Sequence, residues 1–243
     1  MLQHEYEVMH AQEMSHWWFR GRRRVLVDLL ARATAGLPQP RILDFGCGTG
    51  GNTDAFARVG DVVGVEPNQG ALALAHARGA ARFCRGNGTA LPFASGVFDA
   101  VVASDVLEHI EDDSAAIREI ARVLKPGAAL VFSVPAHPWL FAEHDTALWH
   151  HRRYTRTTLR RLLASAGLQE RFLSYWNATL FPVVCAYRLV SPLLRRGKAR
   201  SDVGATPDAV NAPLAGILAV EAAVLRRARL PWGVSFVGIA RRA

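Results

Sequence analysis

The sequence has 243 residues and a formal net charge of +8, with 50% apolar and 21% charged residues, as in an ordinary globular protein with one sizeable core. The three cysteines lie far apart without CxxC spacing, which excludes a CxxC metal site and predicts free thiols in a reducing compartment. The N-terminus lacks the apolar run of a signal peptide, so we expect a cytoplasmic protein, any membrane contact being peripheral and at the inner face.

The first part of the chain alternates predicted helices and strands. Residues 5–35 are predicted to be helical, and residues 41–45 form a short apolar strand that runs into a glycine-rich turn. Further strands are predicted at 61–66, 81–85, 98–103 and 129–134, with helices between them. Strands joined by crossover helices indicate an α/β fold with a doubly wound parallel sheet, whose ligands bind beyond the carboxyl ends of the strands.

The last third departs from this alternation. A helix at 155–166, a strand at 168–175 and a final strand at 234–240 bring the sheet to seven strands, mostly parallel. About fifty residues that a minimal fold would not need precede the final strand. We divide the single domain into four segments: an N-terminal helical lid at 1–37, a ligand-binding core at 38–176, a helical insertion at 177–231 and the final strand at 232–243.

The turn after the first strand carries the spacing Gly46-x-Gly48-x-x-Gly51, which lets the backbone turn tightly and approach a ligand closely. Asp44 stands before the first glycine, where it can bind a ligand ammonium group or an ordered water. Glu66 ends the second strand, where its carboxylate can accept both hydroxyl groups of a ribose. The glycine spacing alone is a weak signal, and these neighbouring acids strengthen the case for a ligand site here.

Five segments resemble successive motifs of the class I S-adenosylmethionine (SAM)-dependent methyltransferases, in particular the ubiquinone- and menaquinone-biosynthesis enzymes and their type 11 relatives. They are residues 43–50, 63–67, 90–93, 98–102 and 124–127, in the right order and at the right intervals. The resemblance covers about residues 40 to 135 and implies a Rossmann-like methyltransferase fold with SAM as cofactor.

The resemblance also implies which residues bind SAM. The loop glycines and Asp44 would hold the methionine moiety, Glu66 the ribose, and Asn87 the adenine, at a position where the family usually has aspartate. The predicted cofactor-binding residues are Asp44, Gly46, Cys47, Gly48, Gly50, Glu66, Pro67, Asn87, Gly88, Ser104 and Val106. Two alternatives stay open: a nucleotide-binding oxidoreductase, and a non-catalytic SAM-binding partner of another enzyme.

The predicted reaction centre follows the fourth strand. Asp105, Glu108 and His109 are spaced i, i+3 and i+4, so they share one face of a helical turn. A neutral imidazole suits a general base near pH 7, and we interpret His109 as the candidate base for an acceptor hydroxyl. Two carboxylates and an imidazole could instead hold a divalent metal, but we favour the interpretation without one.

A histidine-rich stretch follows the fifth strand, at the same edge of the sheet. We interpret it as an acceptor-binding loop, with His137, His150, Arg153 and Tyr154 as candidate substrate residues. The alternative is a structural junction between the loop and the helix at 155–166. The aromatic segment 16–20 (His-Trp-Trp-Phe-Arg) is expected to close over the cofactor as a lid or to pack against the sheet.

The helical insertion and the positive net charge indicate which kinds of partner the protein binds. Residues 180–194 are apolar, and a helix at 213–229 ends in arginines, which predicts a hydrophobic acceptor channel or peripheral membrane contact; a homodimer interface is the alternative. The arginine-based charge favours anionic partners, but without an RNA-binding aromatic signature nucleic acid is disfavoured. We therefore expect methyl transfer to oxygen of a small-molecule or lipid-like acceptor, with carbon methylation of a quinone-like substrate as the alternative.

Overall fold

The computed structural model describes residues 3–79, 82–194 and 206–243. The helices are α1 (Gln3–Gln12), α2 (Trp17–Ala33), α3 (Thr53–Phe56), α4 (Gln69–Arg78), α5 (Asp113–Val123), α6 (Glu143–Ala147), α7 (Arg156–Ser165), α8 (Phe181–Leu194) and α9 (Asp208–Leu225). The strands are β1 (Arg41–Phe45), β2 (Asp61–Glu66), β3 (Arg82–Arg85), β4 (Phe98–Ser104), β5 (Leu124–Pro135), β6 (Leu168–Trp176) and β7 (Ser235–Arg242).

The seven strands form one sheet in the order β3-β2-β1-β4-β5-β7-β6. β1 to β5 are parallel, and β7 runs antiparallel to both β5 and β6. The predicted doubly wound, mostly parallel sheet is confirmed. Strand order reverses next to β1, and the carboxyl ends of β1, β2 and β4 meet there, where ligands bind in open α/β sheets.

Each face of the sheet is covered by a separate apolar cluster. On one face, side chains of α5 and α7, such as Ile117 and Leu163, pack against Val101 and Leu130. On the other face, α2 and α9 pack against Val102 and Val131 of the same strands. The two strands are buried on both sides, which explains their continuous apolar runs. The sheet is therefore a rigid support for the loops at its carboxyl edge.

The predicted helix at 5–35 is two helices, α1 and α2, with a turn between them. The side chain of His16 caps α2 by accepting a hydrogen bond from the backbone nitrogen of Trp18 at 3.3 Å. Glu13 is buried in the turn, where its carboxylate accepts a hydrogen bond from the Thr49 hydroxyl and pairs with Arg78 at 2.7 Å. This buried carboxylate brings the chain onto the glycine loop and places α1 above it.

The insertion forms α8 and α9, and α9 lies against α2. The approach is close, because a Cβ atom at Gly21 would lie 2.5 Å from the Leu218 side chain. Asn211 fixes the pair by accepting a hydrogen bond from the Trp17 nitrogen and donating one to the Ser15 carbonyl. Among the described residues, α9 alone is long and apolar enough to cross a membrane, and 28% of it is buried. Residues 195–205 of the predicted insertion lie outside the described residues.

Candidate active site

The loop after β1 presents its backbone to a cavity of about 1620 Å³. Gly46 and Gly48 adopt φ angles of 68° and 55°, a left-handed conformation that glycine adopts without strain. A Cβ atom at Gly46 would lie 2.6 Å from the Val106 side chain. Only glycine therefore leaves the tight turn intact, which fits close approach of a ligand to this backbone.

Glu66 lies at the end of β2 and lines the same cavity. Its Oε2 accepts a hydrogen bond from the Gly48 nitrogen at 3.2 Å, and its Oε1 accepts one from the Asn68 nitrogen at 3.1 Å. A third bond, at 3.1 Å, comes from the hydroxyl group of Tyr6 on α1. Burial raises the pKa of Glu66 above its usual value, while these donors oppose the shift. These bonds hold the carboxylate at the cavity wall, where Oε2, with one donor among the described residues, keeps a position for a ribose hydroxyl.

Helix α1 covers the glycine loop, and a lid function for the N-terminal segment stays a prediction. Tyr6 and Met9 line the cavity, and the Met9 methyl group would lie 3.0 Å from a Cβ atom at Gly48. At Gly51, a Cβ atom would lie 2.2 Å from the Glu13 carboxyl carbon. The cofactor end of the cavity is thus roofed by α1 in this structure.

Asp44 is buried below the loop and, unlike most of the predicted cofactor residues, is not among the described residues that line the cavity. The Thr53 hydroxyl donates a hydrogen bond to its Oδ2 at 2.6 Å. Burial raises the pKa of Asp44 to about 7, against the lowering effect of this bond. Any effect of Asp44 on a ligand in the cavity is therefore indirect and passes through the loop above it. Gly50, which has a φ of 82°, is likewise not among the described residues that line the cavity, and it packs near Phe83.

The other predicted cofactor residues line the cavity: Gly46, Cys47, Gly48, Glu66, Pro67, Asn87, Gly88, Ser104 and Val106. At Asn87 the side-chain oxygen is used locally, because it accepts bonds from the Thr89 nitrogen at 3.0 Å and the Thr89 hydroxyl at 3.1 Å. The amide nitrogen of Asn87 thus remains as the donor for a ligand. A Cβ at Gly88 would lie 2.7 Å from the Phe45 ring, so glycine is needed for the chain to pass there.

The same cavity continues past β4 to the predicted reaction centre, where it is lined by Asp105, Glu108 and His109. Glu108 is fully buried, and within the described part of the chain neither of its carboxylate oxygens has a hydrogen-bond partner. Burial, and then the charge of Asp105, raise the pKa of Glu108 well above its usual value. Burial, and then the charge of His150, lower the pKa of His109 to about 3, so its imidazole is neutral near pH 7.

His150 joins this centre from the histidine-rich stretch. Its ring centroid lies 4.6 Å from that of His109, and its Nδ1 is hydrogen-bonded to Oδ1 of Asp145 at 2.8 Å. Asp145 also pairs with Arg153 and Arg188, each at 2.8 Å. Burial opposes ionisation, but the His150 bond and the two arginine charges lower the pKa of Asp145 far below its usual range. A fixed carboxylate thus orients His150 at the cavity wall.

Asp105 takes part in a different interaction. Arg22 of α2 donates a hydrogen bond from Nη1 to its Oδ2 at 2.5 Å, and both side chains are mostly buried. Asp105 adopts a left-handed φ of 50°, a conformation that is strained for a residue other than glycine and that surrounding contacts must stabilise. The ion pair therefore attaches helix α2 to the end of β4, and the predicted catalytic role of Asp105 stays a prediction.

The candidate substrate residues fall into two groups. His150 and Arg153 line the cavity, whereas His137 and Tyr154 are not among the described lining residues. The Tyr154 hydroxyl donates a hydrogen bond to Oδ2 of Asp113 at 2.9 Å inside the core. His137 stacks on Tyr175 with centroids 5.3 Å apart. The placement of this second pair fits the structural-junction interpretation, and their substrate role stays a prediction.

The structure adds cavity residues that the sequence did not single out: Tyr6, Met9, Arg22, Asn177 and Arg188. Arg188 had a visible signal, because it is one arginine inside an otherwise apolar stretch. Asn177 had none: it is fully buried with φ of 58°, and among the described residues its carboxamide has no hydrogen-bond partner. Because Asn177 is also among the lining residues, its unpartnered amide is a candidate contact for a ligand group.

Comparison with known proteins agrees with this geometry. Residues 43–132 match a family model described as a methyltransferase domain. A protein from Mycobacterium sp. (strain JLS), named an uncharacterized methyltransferase, is 37% identical over 142 residues, which are 54% of this chain and 56% of that protein. A demethylmenaquinone methyltransferase from Renibacterium salmoninarum is 38% identical over 118 residues, 48% of each chain. The chain spans about half the length of the curated relatives it matches.

Solved structures show the same fold. A SAM-dependent methyltransferase from Mesorhizobium loti has a TM-score of 0.58 at 17% identity, over 88% of this chain and 96% of that one. The sheet order, the glycine loop and the acid after β2 define a class I SAM-dependent methyltransferase fold. The methyltransferase-domain model that matches residues 43–132 and the shared fold agree with the resemblance to class I methyltransferases that the sequence predicted.

Proposed function

We propose that this chain transfers the methyl group of SAM to an oxygen atom of a hydroxylated, lipid-like acceptor. The observation that supports this proposal most directly is a single cavity. It is lined at one end by the loop around Gly46 and by Glu66, and further along by Glu108 and His109. Bound SAM would supply an electrophilic methyl carbon. The residues of this chain position the two reactants for in-line displacement, a step in which orientation does most of the work.

The cofactor half of the cavity fits SAM in chemistry. Gly46 and Gly48 have no side chains and leave room for close contact between the ligand and the backbone. Glu66 offers a carboxylate oxygen to the ribose, and Asn87 offers an amide nitrogen to the adenine. Asp44 lies buried below the loop, where a ligand ammonium group would favour its ionised form. A pyrophosphate would meet repulsion from these two acids, which disfavours the oxidoreductase alternative.

The acceptor half supports a lipid-like substrate. Leu148, Val184 and Tyr187 line it with apolar surface, and α8 forms one wall. Its two arginines, Arg153 and Arg188, are engaged by Asp145, so we propose that the acceptor presents hydroxyl or carbonyl groups here rather than an anion. Apolar walls with a few fixed polar groups are usual for pockets that bind small organic ligands.

The acceptor hydroxyl must lose its proton during transfer. We retain His109 as the candidate base, at the wall where the neutral imidazole can accept a hydrogen bond. The variant His109→Ala is expected to bind the cofactor product normally and to lose turnover. Normal turnover in this variant would remove His109 from the mechanism without affecting the proposed class of reaction.

Carbon methylation of a quinone-like substrate is the second candidate. It is favoured by the similarity to a protein named demethylmenaquinone methyltransferase. Mass spectrometry and NMR of the product distinguish the two, because a methyl ether carbon and a ring methyl carbon have different chemical shifts.

We further propose that the chain works in the cytoplasm, in peripheral contact with the inner face of a membrane that holds its acceptor. Helix α8 has exposed apolar positions, such as Val183, and its Val184 lines the acceptor half of the cavity; α9 has further exposed apolar positions, such as Val220. A homodimer that buries the same surface is the alternative, and nucleic acid is disfavoured as a partner.

The first experiment is calorimetric titration with S-adenosylhomocysteine, the cofactor product, with NAD in parallel. We expect micromolar binding of the former, none of NAD, and loss of binding in Glu66→Ala. Binding of NAD alone would overturn the proposal. Binding of S-adenosylhomocysteine without methyl transfer to any hydroxylated or quinone acceptor would favour the non-catalytic partner.

A further inference from the structure

Asn177 is a buried polar residue of the cavity wall that the proposed mechanism does not use. Its side chain is fully buried, and in the described part of the chain neither its carboxamide oxygen nor its carboxamide nitrogen has a hydrogen-bond partner, although the residue lines the cavity. Buried polar groups in native proteins are nearly always hydrogen-bonded, and an unpaired one is costly. The amide therefore has a binding capacity that a ligand in the cavity can use.

The turn that carries Asn177 is fixed by the helical insertion. Asn177 has a left-handed φ of 58°, a conformation that asparagine tolerates better than most residues. The backbone nitrogens of Ala178 and Thr179 donate hydrogen bonds of 3.0 and 2.7 Å to Glu221, a buried carboxylate on α9. Because the backbone is fixed while the carboxamide has no described partner, the side chain can rotate toward a ligand without breaking a hydrogen bond.

Asn177 lies in the acceptor half of the cavity, at the end away from the cofactor. It directly follows β6, and the strand order places β6 three strand spacings from β4, which is followed by Glu108. At ~4.8 Å per spacing, the two strands are about 14 Å apart. Pro135 and Ser235 pair with each other on the intervening strands and also line the cavity. The loop around Gly46 follows β1, on the opposite side of β4. Asn177 is therefore placed to contact a part of the acceptor remote from the transferred methyl group.

The surroundings and the chemistry of Asn177 define the group that it can bind. Two neighbouring lining residues are apolar: Trp18, whose ring centroid lies 4.7 Å from that of Trp176, and Val234, which precedes the first residue of β7. A carboxamide is uncharged and offers an acceptor oxygen and a donor nitrogen. Its complement is a neutral group with both functions, such as a carboxamide or a hydroxyl beside a carbonyl. A ligand without such a group leaves buried amide atoms unpaired, and sites of this kind reject it strongly.

We propose that Asn177 is a specificity-determining residue that binds a second, neutral polar group of the acceptor through both atoms of its carboxamide. The group that receives the methyl lies near Glu108 and His109, and the second polar group lies at the other end of the acceptor. This assignment rests on the proposed function, which defines the acceptor half of the cavity. Binding of a ligand at Asn177 does not itself require methyl transfer.

The test titrates the full chain, with and without saturating S-adenosylhomocysteine, with a matched pair of probes. Octanamide and 2-nonanone have the same chain length and carbonyl group and differ only in NH₂ against CH₃. We expect octanamide to bind about tenfold more tightly, because 2-nonanone has no donor for the carboxamide oxygen of Asn177. In NMR spectra, the side-chain NH₂ signals of Asn177 should shift when octanamide binds.

Variants show whether Asn177 causes this preference. Asn177→Gly keeps the left-handed turn and removes the amide, so it should bind the two probes within about twofold of each other. Thr179→Ala changes an exposed residue of the same turn and is the matched control, which should keep the preference. Thermal melting shows whether each variant is folded, and the affinity for S-adenosylhomocysteine should be unchanged in both.

Three results would overturn the proposal: no binding of octanamide, equal binding of the two probes by the wild type, or the wild-type preference in folded Asn177→Gly. If Asn177→Gly does not fold, unshifted NH₂ signals of Asn177 in the octanamide-bound wild type have the same meaning. A chain that binds S-adenosylhomocysteine without preferring the amide would retain the proposed function and lose the specificity role. An amide preference in a chain that does not bind S-adenosylhomocysteine would do the opposite.

Discussion

The hydroxyl group of Tyr6 donates a hydrogen bond to Oε1 of Glu66 at 3.1 Å, the carboxylate that the proposed function assigns to the ribose of SAM. Oε1 also accepts a bond from the Asn68 nitrogen, and Oε2 accepts one from Gly48. A carboxylate oxygen accepts about two hydrogen bonds, so Oε1 is saturated. Tyr6 therefore occupies one of the positions that a ribose hydroxyl needs, and α1 must shift for the cofactor to bind fully.

Tyr6→Phe is predicted to tighten S-adenosylhomocysteine binding by roughly fivefold, because it removes a competing bond of ~1 kcal/mol. Calorimetric titration measures the dissociation constant directly. The control Glu7→Gln changes an exposed residue of the same helix and should leave affinity unchanged. Weaker binding in Tyr6→Phe would mean that Tyr6 closes over the bound cofactor instead of competing with it.

Asp44 predicts a pH dependence of stability. Burial raises its pKa from 3.8 to about 7 in the folded chain, so between these values the folded state binds more protons than the unfolded state. Stability contributed by the protonated form is thus lost as the pH rises from about 4 to about 7. Asp44→Asn keeps an acceptor for Thr53 without the charge.

The melting temperature of Asp44→Asn should therefore exceed that of the wild type by more at pH 8 than at pH 5, while S-adenosylhomocysteine binding becomes weaker. Asp54→Asn, at an exposed position of α3, is the matched control and should show neither effect. An equal change in melting temperature at both pH values would contradict the assigned cause.

The cofactor half of the site was largely predictable because its signals are local. A glycine turn after a strand and an acid at the end of the next strand are set by a few adjacent residues, and the structure places Gly46, Gly48 and Glu66 at one cavity. The ion pair between Arg22 and Asp105 joins residues 83 positions apart, and no local pattern specifies it. The same holds for the unpartnered amide of Asn177.

Breaking the Arg22–Asp105 pair is expected to be costly. Both side chains are mostly buried, so Arg22→Met would leave Asp105 as an uncompensated buried charge, at a cost of about 3 kcal/mol in the free energy of unfolding. Urea denaturation measures this loss. The double variant Arg22→Met/Asp105→Asn should recover part of it, since the remaining group is neutral. A double variant no more stable than the single one would show that the charge is not the cause.

Two roles are open for Tyr154: a structural one in the core, and the contact with the acceptor that the sequence predicts. A variant can distinguish them. Its hydroxyl donates to Asp113 within the core, and Tyr154→Phe should lower the free energy of unfolding by ~1–2 kcal/mol. S-adenosylhomocysteine affinity and acceptor turnover should not change. Unchanged stability with reduced turnover would instead support direct contact between Tyr154 and the acceptor.

The exposed face of α9 predicts membrane binding. Val210, Val220 and Val224 are 48%, 66% and 41% exposed, and at 100° per residue they fall on one side of the helix, opposite the face packed on α2. The helix is followed by Arg226, an exposed residue that can contact anionic headgroups besides its partner Asp28. An apolar stripe that ends in basic residues fits the surface of an anionic bilayer.

Val220→Asp should abolish co-sedimentation with vesicles that contain anionic phospholipid, because it places a charge in the middle of the stripe. Val220→Ala, which shortens the side chain without adding charge, is the matched control and should bind only slightly less. Binding by the wild type should weaken with salt and be weaker still on neutral vesicles, since headgroup attraction is screened within about 10 Å at 0.1 M. If the wild type forms a dimer that Val220→Asp dissociates, and no vesicle binding is seen at low salt, the stripe is a subunit interface and the acceptor reaches the cavity from solution.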